Sequence, residues 1–272
     1  MSRGEGDMRK IVAGCYQFQV LPGGIDANLK KIASALPHFA DCNCRLLVLP
    51  EMFSCGFDYP SLQQRATATP QVLETLQGWA RRYGIVLVGS LPEAADGKVF
   101  NTSYVIEADG AIAGSYRKVH LFSLHREDLY FRAGEKHFVC DTSIGRLGIL
   151  ICYDLRFPEL ARTLALKRAE VLCTSAQWPT ARIDHWSLLL RARAIENQLF
   201  VVGCNGCGQA GNLILGGHSA LISPYGQTIA AANGAEASIV GELDFTEMVS
   251  FREKIPCLSD RAPASYELKD EP

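Results

Sequence analysis

Three reactive side chains lie next to apolar and aromatic residues in this sequence. Glu51 follows the run LLVLP, Lys118 lies within YRKVHLF, and Cys152 follows the run LGILI. A carboxylate can take up and return a proton, an ammonium can stabilise an oxyanion or a thiolate, and a thiolate can attack an acyl carbon. Brought together, the three side chains could carry out covalent catalysis.

Each of these side chains also has an ordinary structural explanation. A glutamate after a strand is commonly solvated, and a lysine there is commonly surface charge. Most free cysteines are buried structural residues. The apolar and aromatic neighbours of Glu51 favour the catalytic role, because desolvation raises the pKa of a carboxyl toward the range useful to a general base.

Cys152 is predicted to lie at a turn between a strand and a helix. The strand 147–151 precedes it, and Pro158 suits the first turn of the helix that follows. A thiol at such a turn can be exposed above the sheet, near backbone N–H groups that receive a developing oxyanion. Other nucleophile schemes are weaker, because no G-x-S-x-G motif occurs and no histidine has a context that marks it as a base. The histidines considered are His120, His125, His137, His185 and His218.

The elements that must position these side chains alternate between strand-like and helix-like segments. This order favours the α/β class with a largely buried central sheet. The predicted strands cover residues 10–16, 45–49, 85–90, 103–107, 147–151, 170–174, 199–204 and 219–223. The predicted helices cover residues 26–40, 70–83, 158–168 and 182–197.

Length and composition predict a flexible N-terminal arm, 1–7, and a single domain, 8–272. The net charge of −2, from 27 basic and 29 acidic residues, and the absence of a basic stripe argue against nucleic acid or an anionic membrane as a partner. The polar N-terminus has no signal or membrane segment, so a cytoplasmic protein with reduced cysteines is expected.

The ten cysteines do not predict a metal site. Cys204 and Cys207 form a C-x-x-C pair and Cys42 and Cys44 a C-x-C pair, but no second pair at ribbon spacing accompanies either. Cys55 lies four residues after Glu51 and could make the protein sensitive to oxidation. Inert packing is the preferred interpretation of Cys55.

The segments LVLPEMF, YRKVHLF and ICYDLRFPE, in this order, resemble the nitrilase superfamily of carbon–nitrogen hydrolases. The likeness extends from the strand at residue 10 to REKIP at 252–256. It implies an α-β-β-α sandwich, dimers or larger homo-oligomers, and a catalytic set of glutamate, lysine and cysteine. On this basis the catalytic residues are Glu51, Lys118 and Cys152, with the backbone N–H of Tyr153 binding the oxyanion.

The resemblance also implies a second, assisting glutamate, seven residues before the glycine of an (A/P)-G-(D/E/N) turn. Glu127 lies seven residues before Gly134 in HREDLYFRAGE and is the match. Surface charge is the alternative for Glu127 in so polar a stretch, and Asp128 is a competing assignment.

Four segments look most similar to the ω-amidase branch: LPEMFSCGF, CYDLRFPEL, the QWP at 177–179, and RAIENQ. Enzymes of that branch hydrolyse the terminal amide of α-keto acid amides such as α-ketoglutaramate and α-ketosuccinamate. The resemblance implies a thioester intermediate and no metal or organic cofactor. The alternatives are an amidase for deaminated glutathione, an N-carbamoyl amide hydrolase, a true nitrilase, which is the least favoured, and a non-catalytic binding protein.

An α-keto acid amide carries a carboxylate, so its pocket should offer a cation. Arg156 is the candidate, with a structural ion pair as the alternative. Trp178 and Phe57 could form apolar walls of the pocket or belong to the core. The helices 158–168 and 182–197 would form the oligomer interface, or they only cover the sheet.

Overall fold

The computed structural model describes residues 9–266. The predicted arm over residues 1–7 lies outside the described residues, as do residues 8 and 267–272 of the predicted domain.

Fourteen strands lie within residues 9–266. They are β1 (Lys10–Gln17), β2 (Cys44–Val48), β3 (Val86–Ala95), β4 (Lys98–Ile106), β5 (Ile112–Arg117), β6 (Val139–Thr142), β7 (Gly145–Ile151), β8 (Val171–Ala176), β9 (Phe200–Asn205), β10 (Cys207–Ala210), β11 (Leu213–Gly216), β12 (Ala220–Ile222), β13 (Thr228–Ala231) and β14 (Ala237–Asp244).

Helices lie between the strands. They are α1 (Ile25–Asp41), α2 (Leu62–Thr67), α3 (Thr69–Tyr83), α4 (Glu127–Tyr130), α5 (Pro158–Leu166), α6 (Ile183–Asn197) and α7 (Phe245–Lys254). Short 3-10 helices cover Tyr59–Ser61, Ser123–His125, Cys152–Arg156, Thr180–Arg182 and Pro263–Ser265.

Two six-stranded sheets share the same plan. The first has the order β14-β1-β2-β3-β4-β5 and the second the order β13-β12-β9-β8-β7-β6. In the first sheet β1, β2 and β3 are parallel neighbours, and in the second β7, β8 and β9 are. The other pairs within these two sheets are antiparallel. β10 and β11 form a separate hairpin.

The alternation of side chains along β2 builds two layers of core. Leu46 and Val48 belong to a first core, to which residues of both sheets contribute. Leu47 and Leu49 belong to a second core, between the first sheet and the helices α1 and α3. Successive strand residues point to opposite faces, so a continuous apolar run is what a strand covered on both faces requires. The helical side of the second core has residues at helical spacing on α1 and α3: Ile32, Leu36, Phe39, Val72, Leu76 and Ala80.

The sheets face each other, and helices cover their outer faces. The thiol of Cys15 on β1 lies 3.5 Å from the main-chain oxygen of Gly203 on β9, a contact across the two sheets. α5 and α6 contact β7, β9 and β12 and cover the outer face of the second sheet. α1 and α3 cover the outer face of the first sheet. The predicted α/β class and the α-β-β-α sandwich are confirmed.

The prediction of one central sheet from the alternation of segments was wrong, because the strands divide between two sheets. The predicted strands correspond to β1–β4, β7–β9 and β12. The strands that were missed are mostly short or partly exposed, such as β5 and β13, so they lack the apolar run that marks a buried strand. The helix predicted over residues 70–83 matches α3. The residue that caps the end of α3 is Gly84, where φ is +65°.

The core between the sheets should dominate stability. Leu46→Ala removes a side chain that is 0% exposed and should lower the free energy of unfolding by about 2–5 kcal/mol, measured by urea denaturation. Ile112→Ala, at a side chain that is 43% exposed on β5, should change it by less than about 0.5 kcal/mol. Equal losses in the two variants would contradict this assignment of the core.

Candidate active site

Three strands deliver the predicted catalytic side chains to one place. Glu51 lies just beyond the end of β2, Lys118 directly follows β5, and Cys152 directly follows β7. Because β2 and β5 belong to the first sheet and β7 to the second, the site depends on how the sheets are joined.

Gln177, the residue after β8, joins the Glu51 segment to the second sheet. Its main-chain N–H donates to Oε2 of Glu51 at 3.1 Å, and its side-chain amide donates to the main-chain oxygen of Glu51 at 2.8 Å. The N–H of Glu51 donates to the main-chain oxygen of Ala176 at 3.3 Å. These bonds fix both the backbone and the carboxylate of Glu51.

Lys118 is the centre of a buried ion cluster. Its Nζ lies 2.8 Å from Oε1 of Glu51 and 2.9 and 2.8 Å from the two carboxylate oxygens of Glu127. The exposed fractions of Glu51, Lys118 and Glu127 are 0%, 1% and 3%. One ammonium therefore neutralises part of the charge of two almost fully buried carboxylates.

The backbone of Lys118 is held on both sides. Its N–H donates to the main-chain oxygen of Asn101 at 2.9 Å, and its own oxygen accepts from the N–H of Gly134 at 2.7 Å. A Cβ at residue 134 would lie 2.2 Å from the main-chain oxygen of Arg117, so only glycine allows this close approach. The side chain of Asn101 also donates to Oε1 of Glu51 at 2.8 Å.

Glu127, rather than Asp128, lies beside Lys118. It begins α4, and Oε2 accepts from the main-chain N–H of Phe122 at 3.1 Å. Asp128 is exposed. The surface-charge alternative for Glu127 is therefore wrong, because its carboxylate is buried against Lys118.

Cys152 occupies the predicted turn between strand and helix. Its φ of +47° lies in the left-handed region, which is uncommon for a residue other than glycine. The turn is held by Asp154, whose Oδ2 accepts from the N–H of Ile151 at 3.0 Å and from the hydroxyl of Tyr116 at 2.8 Å. Oδ1 of Asp154 accepts from the N–H of His120 at 3.0 Å. A strained residue over-determined in this way is typical of a functional position.

Burial and charge set the protonation states of the cluster. Burial raises the pKa of the Cys152 thiol well above its ordinary value, and the negative charge of Glu51 adds to this effect. Burial alone would lower the pKa of Lys118, but attraction to Glu51 and Glu127 outweighs it and raises that pKa well above its ordinary value. Burial also raises the pKa of Glu127, against the opposing effect of Lys118. At neutral pH the free protein therefore holds an ammonium beside a protonated thiol.

A cavity of about 530 Å³ opens onto Glu51, Glu127 and Cys152. All four residues predicted to contact the oxyanion or the substrate also line it: Phe57, Tyr153, Arg156 and Trp178. Trp178 is 3% exposed and also contacts the core through Trp186, so the two interpretations of this residue are both correct.

Arg182 and His125 also line the cavity and were not predicted. Arg182 lies four residues after Trp178, and its main-chain oxygen accepts from the indole N–H of Trp178 at 2.8 Å. Burial lowers the pKa of His125, and the positive charge of Arg182 lowers it further. The assignment of Trp178 to the pocket was the signal that could have drawn attention to Arg182.

The remaining cysteines are free. Cys55 is buried in a small apolar cluster with Met52 and Phe131, and burial raises its pKa to about 11, as expected for an inert thiol. Across residues 9–266, no group of three or more His, Cys, Asp or Glu side chains could hold a metal ion. None of the helices in this part of the chain is long and apolar enough to cross a membrane.

Comparisons with known proteins identify the family of this chain. The family model for carbon-nitrogen hydrolases matches residues 12–253. The chain belongs to the carbon–nitrogen hydrolase family. The predicted family and the prediction of a hydrolase acting on carbon–nitrogen bonds are confirmed.

Relatives in this family cover nearly the whole chain. The 2-oxoglutaramate amidase of Bacillus subtilis (strain 168) is 37% identical over 253 residues, 92% of this chain and 97% of that protein. The chloroplastic omega-amidase of Arabidopsis thaliana is 32% identical over 260 residues, 89% of this chain and 70% of that protein. The solved structure of a carbon-nitrogen hydrolase from Helicobacter pylori G27 is 27% identical, with a TM-score of 0.92 over 97% of this chain and 100% of that one.

Removing the ammonium of Lys118 should destabilise the fold, because two buried carboxylates then lack a cation in contact. Lys118→Met should lower the free energy of unfolding by about 3–5 kcal/mol at about pH 8, because Glu51 and Glu127 lose their shared partner. A carboxyl whose pKa is raised by folding binds more protons in the folded state than in the unfolded state, so acid stabilises the fold. The free energy of unfolding that Lys118→Met loses relative to the wild type should therefore be smaller at about pH 5 than at about pH 8, measured by chemical denaturation at each pH.

Lys10→Met is the matched control. Lys10 pairs with Glu242 at 2.9 Å and Asp244 at 3.0 Å, but its side chain is 53% exposed. Its removal should leave the unfolding transition nearly unchanged, since exposed pairs contribute little. A loss for Lys118→Met that matches this control or grows on acidification would contradict the account.

Proposed function

We propose that the protein is an ω-amidase, which hydrolyses the terminal amide of a small α-keto acid amide to the acid and ammonia through a thioester on Cys152. The observation that carries the proposal is the ammonium of Lys118, which is bonded to Glu51 and Glu127, two carboxylates that line the same cavity as Cys152. The similarity to the 2-oxoglutaramate amidase of Bacillus subtilis supports the substrate class.

Acylation starts from the protonated thiol. Glu51 accepts the proton of Cys152 as the sulfur attacks the amide carbon, so a carbon–sulfur bond forms and the carbonyl oxygen becomes an oxyanion. Lys118 and the backbone N–H of Tyr153 stabilise this charge. Tyr153 lies in the first turn of a 3-10 helix, where N–H groups have no partner within the helix.

The proton held by Glu51 then leaves with the nitrogen. Glu51 protonates the amide nitrogen, the carbon–nitrogen bond breaks, and ammonia departs from a thioester. Glu51 next deprotonates a water molecule, which attacks the thioester and releases the acid. The proton returns to the Cys152 sulfur, so the cycle closes without net change in the protein.

Glu127 acts as a positioning residue in this scheme. Both of its oxygens accept hydrogen bonds from Lys118, which fixes the ammonium between the two carboxylates. The fixed ammonium does not have to reorganise when the oxyanion forms. No step draws on a metal or an organic cofactor.

The substrate is tested by ammonia release from α-ketoglutaramate, glutamine, an N-carbamoyl amino acid and a simple nitrile. The wild type should act on the keto amide in preference to the other three, and Cys152→Ala should reduce the rate to background, because no other thiol can form the thioester. Cys257→Ala, at a half-buried free cysteine, is the matched control and should keep the wild-type rate.

Other outcomes decide between the alternatives. Preference for the N-carbamoyl amino acid would assign the protein to another amidase branch that uses the same nucleophile. Full activity of Cys152→Ala would contradict the mechanism. A wild type that is silent on all four compounds would contradict the ω-amidase proposal and favour a binding protein.

We also propose that the protein acts in the cytoplasm as a homodimer joined through α5 and α6. Support comes from exposed apolar side chains on these two helices, since Leu166, Leu188 and Ile195 are 43%, 67% and 43% exposed. Sedimentation equilibrium should give twice the chain mass for the wild type and for Ile112→Asp, and the monomer mass for Leu188→Asp. A monomeric wild type would contradict the interface.

A further inference from the structure

Two arginines in the cavity have no acidic partner. Arg156 and Arg182 both line the cavity beside Cys152, and neither forms an ion pair with a carboxylate among residues 9–266. Both are only partly exposed. A partly desolvated guanidinium without a counter-charge is costly, so an anion that enters the cavity gains from binding there.

The acids that line the cavity are already engaged. Glu51 and Glu127 bind Lys118, and Asp58 binds Nε of Arg65 at 2.9 Å. The part of the cavity near Arg156 and Arg182 therefore keeps an excess of positive charge. Both arginines line this one cavity, and burial lowers the pKa of Arg156, as does repulsion from Arg182.

Aromatic rings hold both guanidinium groups. The Cζ of Arg156 lies 4.6 Å from the centroid of the Trp178 ring, and that of Arg182 lies 5.6 Å from the centroid of the Phe122 ring. A guanidinium stacked on a ring keeps its N–H edge available for a carboxylate. The contact of Arg156 with His185 is long, at 3.4 Å for either terminal nitrogen, and does not satisfy that edge.

We propose that Arg156 and Arg182 form a carboxylate-binding subsite, and that Arg182 determines specificity for amides that carry an acid group at the far end. This subsite rests on the proposed amidase reaction, in which the cysteine attacks one end of the substrate. A dicarboxylic acid half-amide satisfies both ends of the cavity, whereas a neutral amide leaves the arginines unpaired. Dicarboxylates such as 2-oxoglutarate should bind the same subsite as products or competitive inhibitors.

The first test compares a charged and a neutral amide. Arg182→Gln should lower kcat/KM for α-ketoglutaramate about 10- to 100-fold, mainly through KM, because a charge-assisted hydrogen bond is lost. The loss should be far smaller for pentanamide, which has no carboxylate. Arg182→Lys should restore part of the activity toward α-ketoglutaramate, and Arg156→Gln should act in the same direction as Arg182→Gln.

Arg82→Gln, at an exposed arginine of α3, is the matched control and should keep wild-type kinetics. Unfolding midpoints confirm that each variant is folded. Equal losses on both amides would show a structural role for Arg182, and no loss on either would show that no subsite exists. Either result overturns the proposal.

A second test does not depend on turnover. Titration calorimetry with 2-oxoglutarate should give a dissociation constant about 10- to 100-fold weaker for Arg182→Gln than for the wild type. A wild type that hydrolyses neither amide but binds 2-oxoglutarate through Arg182 would contradict the proposed function and leave the subsite standing. Binding that is equal in the two proteins, or absent from the wild type, would overturn the subsite.

Discussion

The ammonium of Lys118, shared by two buried carboxylates, is the interaction on which the site depends. Two carboxyl groups buried as deeply as those of Glu51 and Glu127 need a cation in contact, because desolvation of a carboxylate costs several kcal/mol. The same contacts hold the ammonium against two carboxylates that line the cavity together with Cys152. The fold must therefore deliver the end of β5, the loop after β2 and the start of α4 to one point, and the close approach at Gly134 shows how little freedom that leaves.

Two sheets are needed because the proposed nucleophile, Cys152, and its proposed proton acceptor, Glu51, follow strands of different sheets. Gln177 fixes the carboxylate of Glu51 from the second sheet, and Asp154 fixes the turn of Cys152 against Tyr116 of the first. The apolar layer between the sheets keeps these distances constant, since close-packed interiors transmit displacement rather than absorb it. Stability and catalysis thus rest on the same interface, and the strained backbone of Cys152 is offset by the packing around it.

The sequence predicted most of the sandwich's inner strands and helices, because apolar runs and helical spacing mark elements that are covered by core. It also drew attention to Glu51 and Cys152, which follow such runs, and to Lys118, which has aromatic and apolar neighbours on both sides. Glu127 needed the family motif, because a glutamate in a polar stretch gives no local sign of burial. Asn101 and Arg182 were missed, since their roles arise only from contacts between distant segments. The division of strands between two sheets is likewise a long-range property that alternation does not encode.

The proposed mechanism depends on a thioester at Cys152, and the partition of this intermediate between water and a second nucleophile can be measured. Succinamate and monomethyl succinate lack a ketone that hydroxylamine could attack, and both should acylate Cys152 to the same species. With hydroxylamine present, and after subtraction of the Cys152→Ala background, the ratio of hydroxamate to succinate should be identical for the amide and the ester. Different ratios, or no hydroxamate while succinate is still released, would contradict a shared covalent intermediate.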